Sequence, residues 1–283
     1  MDFDVAFHAA ARVGEGPLWD TETNRLTWVD ILGGKVHTSD PSTGSTRTTS
    51  LPHTVGAAVP KTSGGLVVAA GSGFIEIRDD GTWVERTSVL PPGEVMNDAK
   101  PDAAGRLWVG SYGEGFAAGR GKLHVLSGDW TCEEVLSGLT LPNGLDWSPD
   151  GRTFYLVDSV AEELYAFDFP PEGPVPATRR VLARFADGEG LADGMTVDAE
   201  GCLWVAMFGG GRLIRISPEG ETLAEIATPG VQPASCTFGG PDLDILYVTT
   251  GRELDPTLGE ANGSVLALRG LGVRGSVAGR FRG

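Results

Sequence analysis

The stretch Asn143–Asp158, NGLDWSPDGRTFYLVD, has counterparts at five other places in the chain, and this recurrence limits the fold more than any other feature. The leading residues of the six copies are Glu15, Gly56, Asn97, Asn143, Asp193 and Ser235, spaced 41, 41, 46, 50 and 42 apart by subtraction. Each copy reads as a hairpin. In the fourth, Gly144–Trp147 alternates small or polar with apolar residues, Ser148-Pro149-Asp150-Gly151 is a turn signal, and Phe154–Val157 has the aromatic and β-branched composition of a buried strand. Trp28, Trp108, Phe154, Trp204 and Tyr247 hold the equivalent aromatic position. Most copies are followed by a second strand pair closed by a turn, as in Lys35–Gly44, Phe74–Gly81 and Arg212–Gly220. A period near forty residues with about four short strands is the pattern of a β-propeller blade. The chain is therefore predicted to be all-β, a six-bladed β-propeller forming a single domain over residues 1–283.

The rest of the sequence is consistent with a closed ring. The alternating segment Asp2–His8 precedes the first copy and the apolar run Gly263–Leu268 follows the last, so both are expected in one blade, where neither leaves an open sheet edge. Three insertions exceed hairpin length: the Gly-rich Ser111–Lys122, the proline-rich Pro170–Pro176 and the acidic Glu253–Asn262. The first and third are candidates for the rim of a substrate pocket, the second for a connection between blades. With net charge −16 and its 22 basic residues unclustered, the chain is not expected to bind nucleic acid. No apolar run reaches membrane length, no secretory segment opens the sequence, and three cysteines make no disulfide framework. A monomer in the cytoplasm, free of membrane, is expected.

In a propeller, equivalent positions of successive blades converge on the central channel, so Glu15, Asn97, Asn143 and Asp193 should face one another. Taken singly, such residues often serve local turns. As a set they differ in type, and carboxylates brought together without a cation would repel. One bound divalent metal would relieve that. Oxygen donors suit Ca²⁺, Mg²⁺ or Mn²⁺, with Zn²⁺ also able to accept carboxylates. His53, ahead of the second copy, is a further candidate base at the channel mouth. No GxSxG elbow, P-loop or Cys–His metal spacing is present.

At these positions the chain resembles the senescence marker protein/gluconolactonase/luciferin-regenerating family. The resemblance runs through Gly14–Trp19, Asn97–Gly110, Asn143–Tyr155, Asp193–Ala206 and Cys236–Thr250, and the order and spacing of these segments make it specific. It implies a metal held by Glu15, Asn143 and Asp193, with Asp193 also the general base, Asn97 in contact with substrate, and Glu114 as a possible counterpart of an acidic lid residue. It also implies hydrolysis of a small lactone, the metal polarising the carbonyl and activating water. One departure is visible. Sugar lactonases of the family commonly carry Arg two residues before the second Asn, where this chain has Val95. Loss of that donor favours a less polar lactone or ester, unless Lys100 or Arg120 supplies it. The alternatives are a metal-dependent esterase or organophosphate hydrolase, and a non-catalytic calcium-binding or scaffold propeller.

Overall fold

The computed structural model describes residues 3–170, 178–253 and 259–283. Six antiparallel sheets of four strands each follow one another along the chain, the blades of a six-bladed β-propeller. The innermost strands are Gly14–Asp20, Val55–Pro60, Glu94–Pro101, Pro142–Trp147, Leu191–Val197 and Pro233–Gly239, for blades 1 to 6 in order. The predicted turn at Ser148–Gly151 forms as read, with the Gly151 N–H donating to the Ser148 carbonyl at 2.8 Å and Gly151 in the left-handed region.

The composition of each strand follows from its distance to the axis. Inner and second strands lie between neighbouring blades and are covered on both faces, so Val55–Pro60 and Leu66–Ala70 are buried throughout and are almost entirely apolar. The outermost strand of blade 1, Ser45–Ser50, is nearly all exposed and consists of Ser, Thr and Arg, the β-branched threonines favouring the strand while the polar side chains face water. Apolar clusters fill the spaces between blades, one joining Leu18, Val59, Val67, Leu107, Leu126 and Phe281.

The ring closes as the sequence predicts. Phe3–Phe7 forms the outermost strand of blade 6, antiparallel to Val265–Leu268, and the Ala9 N–H donates to the Ser264 hydroxyl just beyond. Residues 269–283 then cross the end of the channel opposite the leading residues. The Arg274 carbonyl accepts the Ala199 N–H of blade 5, Arg280 pairs with Asp20 of blade 1 at 2.8 Å, the Phe281 N–H donates to the Pro60 carbonyl of blade 2, and the Arg282 N–H donates to the Gly105 carbonyl of blade 3. At that end, Ser276–Gly279 help line a cavity of ≈ 410 Å³ that also touches Lys100, Asp146 and Trp147.

Two expectations about insertions change. The proline-rich run lies mostly outside the described residues, but the strands flanking it, Glu163–Asp168 and Arg179–Arg184, are the third and fourth of one blade, so it joins strands within a blade. The Gly-rich insertion is shorter than the composition indicates, because its second strand continues to Gly113 and the third resumes at Gly121. Residues 254–258, half of Glu253–Asn262, fall outside the described residues.

Candidate metal and substrate site

Each inner strand breaks register with its neighbour at or beside its leading residue. The breaks fall between Glu15 and Leu18, Val55 and Ala57, Met96 and Ala99, Pro142 and Leu145, Ala192 and Met195, and Pro233 and Ser235. A bulge releases a residue from the ladder and re-aims its side chain. Repeated in six blades, it re-aims side chains at the start of the inner strands, two of them in blade 3 and none in blade 2, whose leading residue is Gly56. The glycine that follows two of the leading residues has a steric cause. A Cβ at Gly144 would lie 2.6 Å from the Asp193 carbonyl oxygen, and one at Gly194 would lie 2.0 Å from the Ser235 hydroxyl. These glycines let successive inner strands touch, and so bring their leading residues together.

Glu15, Asp193 and Asp98 form the charged centre of this cluster, with Glu15 and Asp98 buried and Asp193 half-buried. Burial pushes the Glu15 carboxyl well above the usual carboxylate range, and the charges of Asp193 and Asp98 push it further. Asp193 is raised in the same way by burial and by Asp98, while the Asn143 amide lying against it tempers the rise. Asp98 is raised by burial to about 6, with Lys100 and the Ala99 N–H opposing. Glu15 Oε2 accepts from the Gly16 N–H at 2.6 Å, whereas Oε1 is buried without a partner. Asn143 donates to the Ser159 hydroxyl at 3.2 Å, and Asn97 donates to the Pro142 carbonyl at 3.0 Å. Three converging acids, one with an unpaired buried oxygen, are a donor set for a cation.

The structure thus gathers Glu15, Asn143 and Asp193, and sets Asn97 beside them. Asp98 was not among the residues singled out from the sequence. Its only signal was its place directly after Asn97, inside the same register break. Glu114 lies apart from the buried cluster, exposed on a short 3₁₀ turn whose backbone N–H donates to the Gly93 carbonyl. His53 does not reach the channel. It pairs with Glu85 of the outermost strand of blade 2 at 3.0 Å. Lys100 is engaged by Asp146 at 2.8 Å and Arg120 by Glu94 at 2.7 Å, so neither is the free donor that could stand in at Val95.

A second group, Asp198, Glu200 and Cys202, has metal-type atoms within 4.8 Å of one another. Its carboxylates already have a cation, because Arg215 reaches Asp198 at 2.7 Å and Glu200 at 2.6 Å. Asp198 also accepts the Trp204 indole N–H and the Cys202 N–H. Asp102 bonds Arg106 and Trp108 in the same way at the corresponding turn of blade 3, which marks the motif as a turn brace. No helix among the described residues is long and apolar enough to cross a membrane.

Comparison with known proteins identifies the family. The chain is 34% identical to regucalcin of Xenopus laevis, with 96% of this chain and 95% of that protein covered. It is 36% identical to 6-deoxy-6-sulfogluconolactonase of Pseudomonas putida over 85% of this chain and 84% of that one. Among solved structures, a regucalcin of Agrobacterium tumefaciens described as a calcium-binding protein superposes with a TM-score of 0.90 at 26% identity, covering 98% of this chain and 96% of the other. Residues 13–252 match the SMP-30/Gluconolactonase/LRE-like region, and the chain belongs to that family.

Proposed function

We propose that the protein is a divalent-cation-dependent hydrolase that opens a small lactone. The observation that carries this reading is the convergence of Glu15, Asp98 and Asp193, whose raised carboxyls and unpaired, buried Glu15 Oε1 call for positive charge. Glu15, Asn143 and Asp193 would hold the cation, with Asp98 adding negative charge behind them. A cation there polarises a carbonyl oxygen and makes water more acidic. The lactonase among the relatives supports the substrate class.

The chain's own groups divide the remaining work. Asn97, pinned through one amide N–H to Pro142, offers its other amide atoms to orient the lactone. Asp193 accepts a proton from the attacking water as the new acyl C–O bond forms. It returns that proton to the ring oxygen when the lactone C–O bond breaks, releasing the hydroxy acid. Glu114, on the exposed turn, meets substrate only from the outer rim. One chain supplies every group, so a monomer suffices.

The test is proton release on a panel of sugar lactones, aliphatic lactones and aryl esters, using chelator-stripped protein with Ca²⁺, Mg²⁺, Mn²⁺ or Zn²⁺ returned singly. Turnover should depend on the added cation, and Asp193→Ala should lower it by roughly 10²–10⁴-fold. That variant removes one charge from a repelling set, so its melting temperature without cation should hold or rise. Full activity in Asp193→Ala would reject the assignment. The calcium-binding relative supports a second reading, cation binding without turnover, for which tight binding and no hydrolysis would be the signature. Preference for aryl esters over every lactone would instead favour an esterase.

A further inference from the structure

Two residues before Asn97 on the innermost strand of blade 3, Val95 stands opposite Tyr112 of the second strand. The Tyr112 ring lies 5.2 Å from the ring of Phe116, tilted by 42°. Phe116 is 49% exposed and its backbone has φ 54°, a conformation that bulky side chains rarely adopt. Neither exposure nor this backbone favours an aromatic residue here for the sake of the fold. Held backbone strain of this kind gathers where a chain contacts a ligand.

The cations nearby are withdrawn from the mouth. Arg120 at 2.7 Å and Lys122 at 3.3 Å both bind Glu94, whose side chain is only 1% exposed. Burial works against the Glu94 carboxylate, and these two partners overcome it and hold it below its ordinary range. Around the same end of the ring, Leu32 and Val160 on turns of blades 1 and 4, Leu191 on blade 5 and Val231 on the connection from blade 5 to blade 6 are exposed apolar residues. A polyhydroxylated ring placed against such a wall would leave its hydroxyls without protein donors.

We infer that Val95, Tyr112 and Phe116 form an apolar wall that selects lactones bearing an aryl or alkyl substituent over sugar lactones. The inference rests on the lactonase reading and names its substrate class. Three probes separate the two claims: a phenyl-substituted γ-lactone, unsubstituted γ-butyrolactone and gluconolactone, each with the cation-loaded protein. The phenyl lactone should have the highest kcat/KM and gluconolactone the lowest. Phe116→Ala should lower kcat/KM for the phenyl lactone by about tenfold, mainly through KM, and leave γ-butyrolactone unchanged. Because Phe116 is exposed, its removal should not disturb the melting temperature. Preference for gluconolactone, or equal losses on both γ-lactones, would overturn the wall while leaving the hydrolase intact. No turnover of any lactone would overturn both.

Discussion

Glu15, Asp98 and Asp193 are held more protonated in the folded chain than they would be in an unfolded one, and this fixes the sign of a pH effect. A carboxyl whose pKa rises on folding contributes stability below its unfolded value, near 4, and loses that contribution as pH climbs through its folded value. For Asp98 that value is about 6. The cation-free protein should therefore lose stability from this cluster as pH rises, and a bound cation should return it. Ion pairs with lowered carboxyls, such as Glu94 with Arg120, act in the opposite sense at low pH, so the informative quantity is a difference. The rise in melting temperature on adding Ca²⁺ should be larger at about pH 8 than at about pH 5. An equal rise at both would place the cation elsewhere. At this scale the sequence was only partly legible. Glu15, Asn143 and Asp193 stood out because they lead repeats, whereas Asp98 follows a leading residue and is turned inward by the two-residue register break at Asn97–Asp98, which no pattern of residue types announces.

At the scale of strands, the repeat made most of the fold readable, since a period near forty residues fixes the blades and the turn residues fix their hairpins. What the repeat could not convey was side-chain direction, because six bulges shift the alternation just where the chemistry sits. His53 illustrates the failure: proximity to a leading residue suggested the channel, yet its ring bonds Glu85 on the outer strand. The best test at this scale is the strand that closes blade 6. Phe3–Phe7 covers Val265–Leu268 and places Phe7 among Trp19, Trp28 and Tyr247. Removing residues 1–10 uncovers that edge and leaves the Phe7 space empty, a loss of about 3–5 kcal/mol for the ring alone. Thermal unfolding should begin roughly 10 °C lower. An unchanged melting curve would mean that the edge needs no cover.

Across the whole molecule, the segment 269–283 ties together blades that are distant in sequence. Its anchor is Phe281, fully buried among residues of blades 1, 2 and 3 and set edge-on to Trp130 at 5.5 Å. We infer that the ring unfolds as one cooperative domain, because loss of blade 1, 2, 3 or 5 releases this segment and exposes the neighbouring blades. Phe281→Ala should cost about 3–5 kcal/mol and lower the single melting transition without splitting it. Calorimetry showing two resolved transitions would argue for separable halves. Since Ser276–Gly279 lie across the far end, substrate and product are expected to use the mouth beside Asn97 and Glu15.

The sixth blade also has a history in time. Ala9 and Ser264, which bond each other beside the closing strand, are 255 residues apart. At roughly 5–20 residues per second a ribosome needs roughly 10–50 s to travel between them. Throughout that interval Phe3–Phe7 lacks its partner Val265–Leu268, so the newborn chain carries an unpaired strand until the last strand of blade 6 has been made.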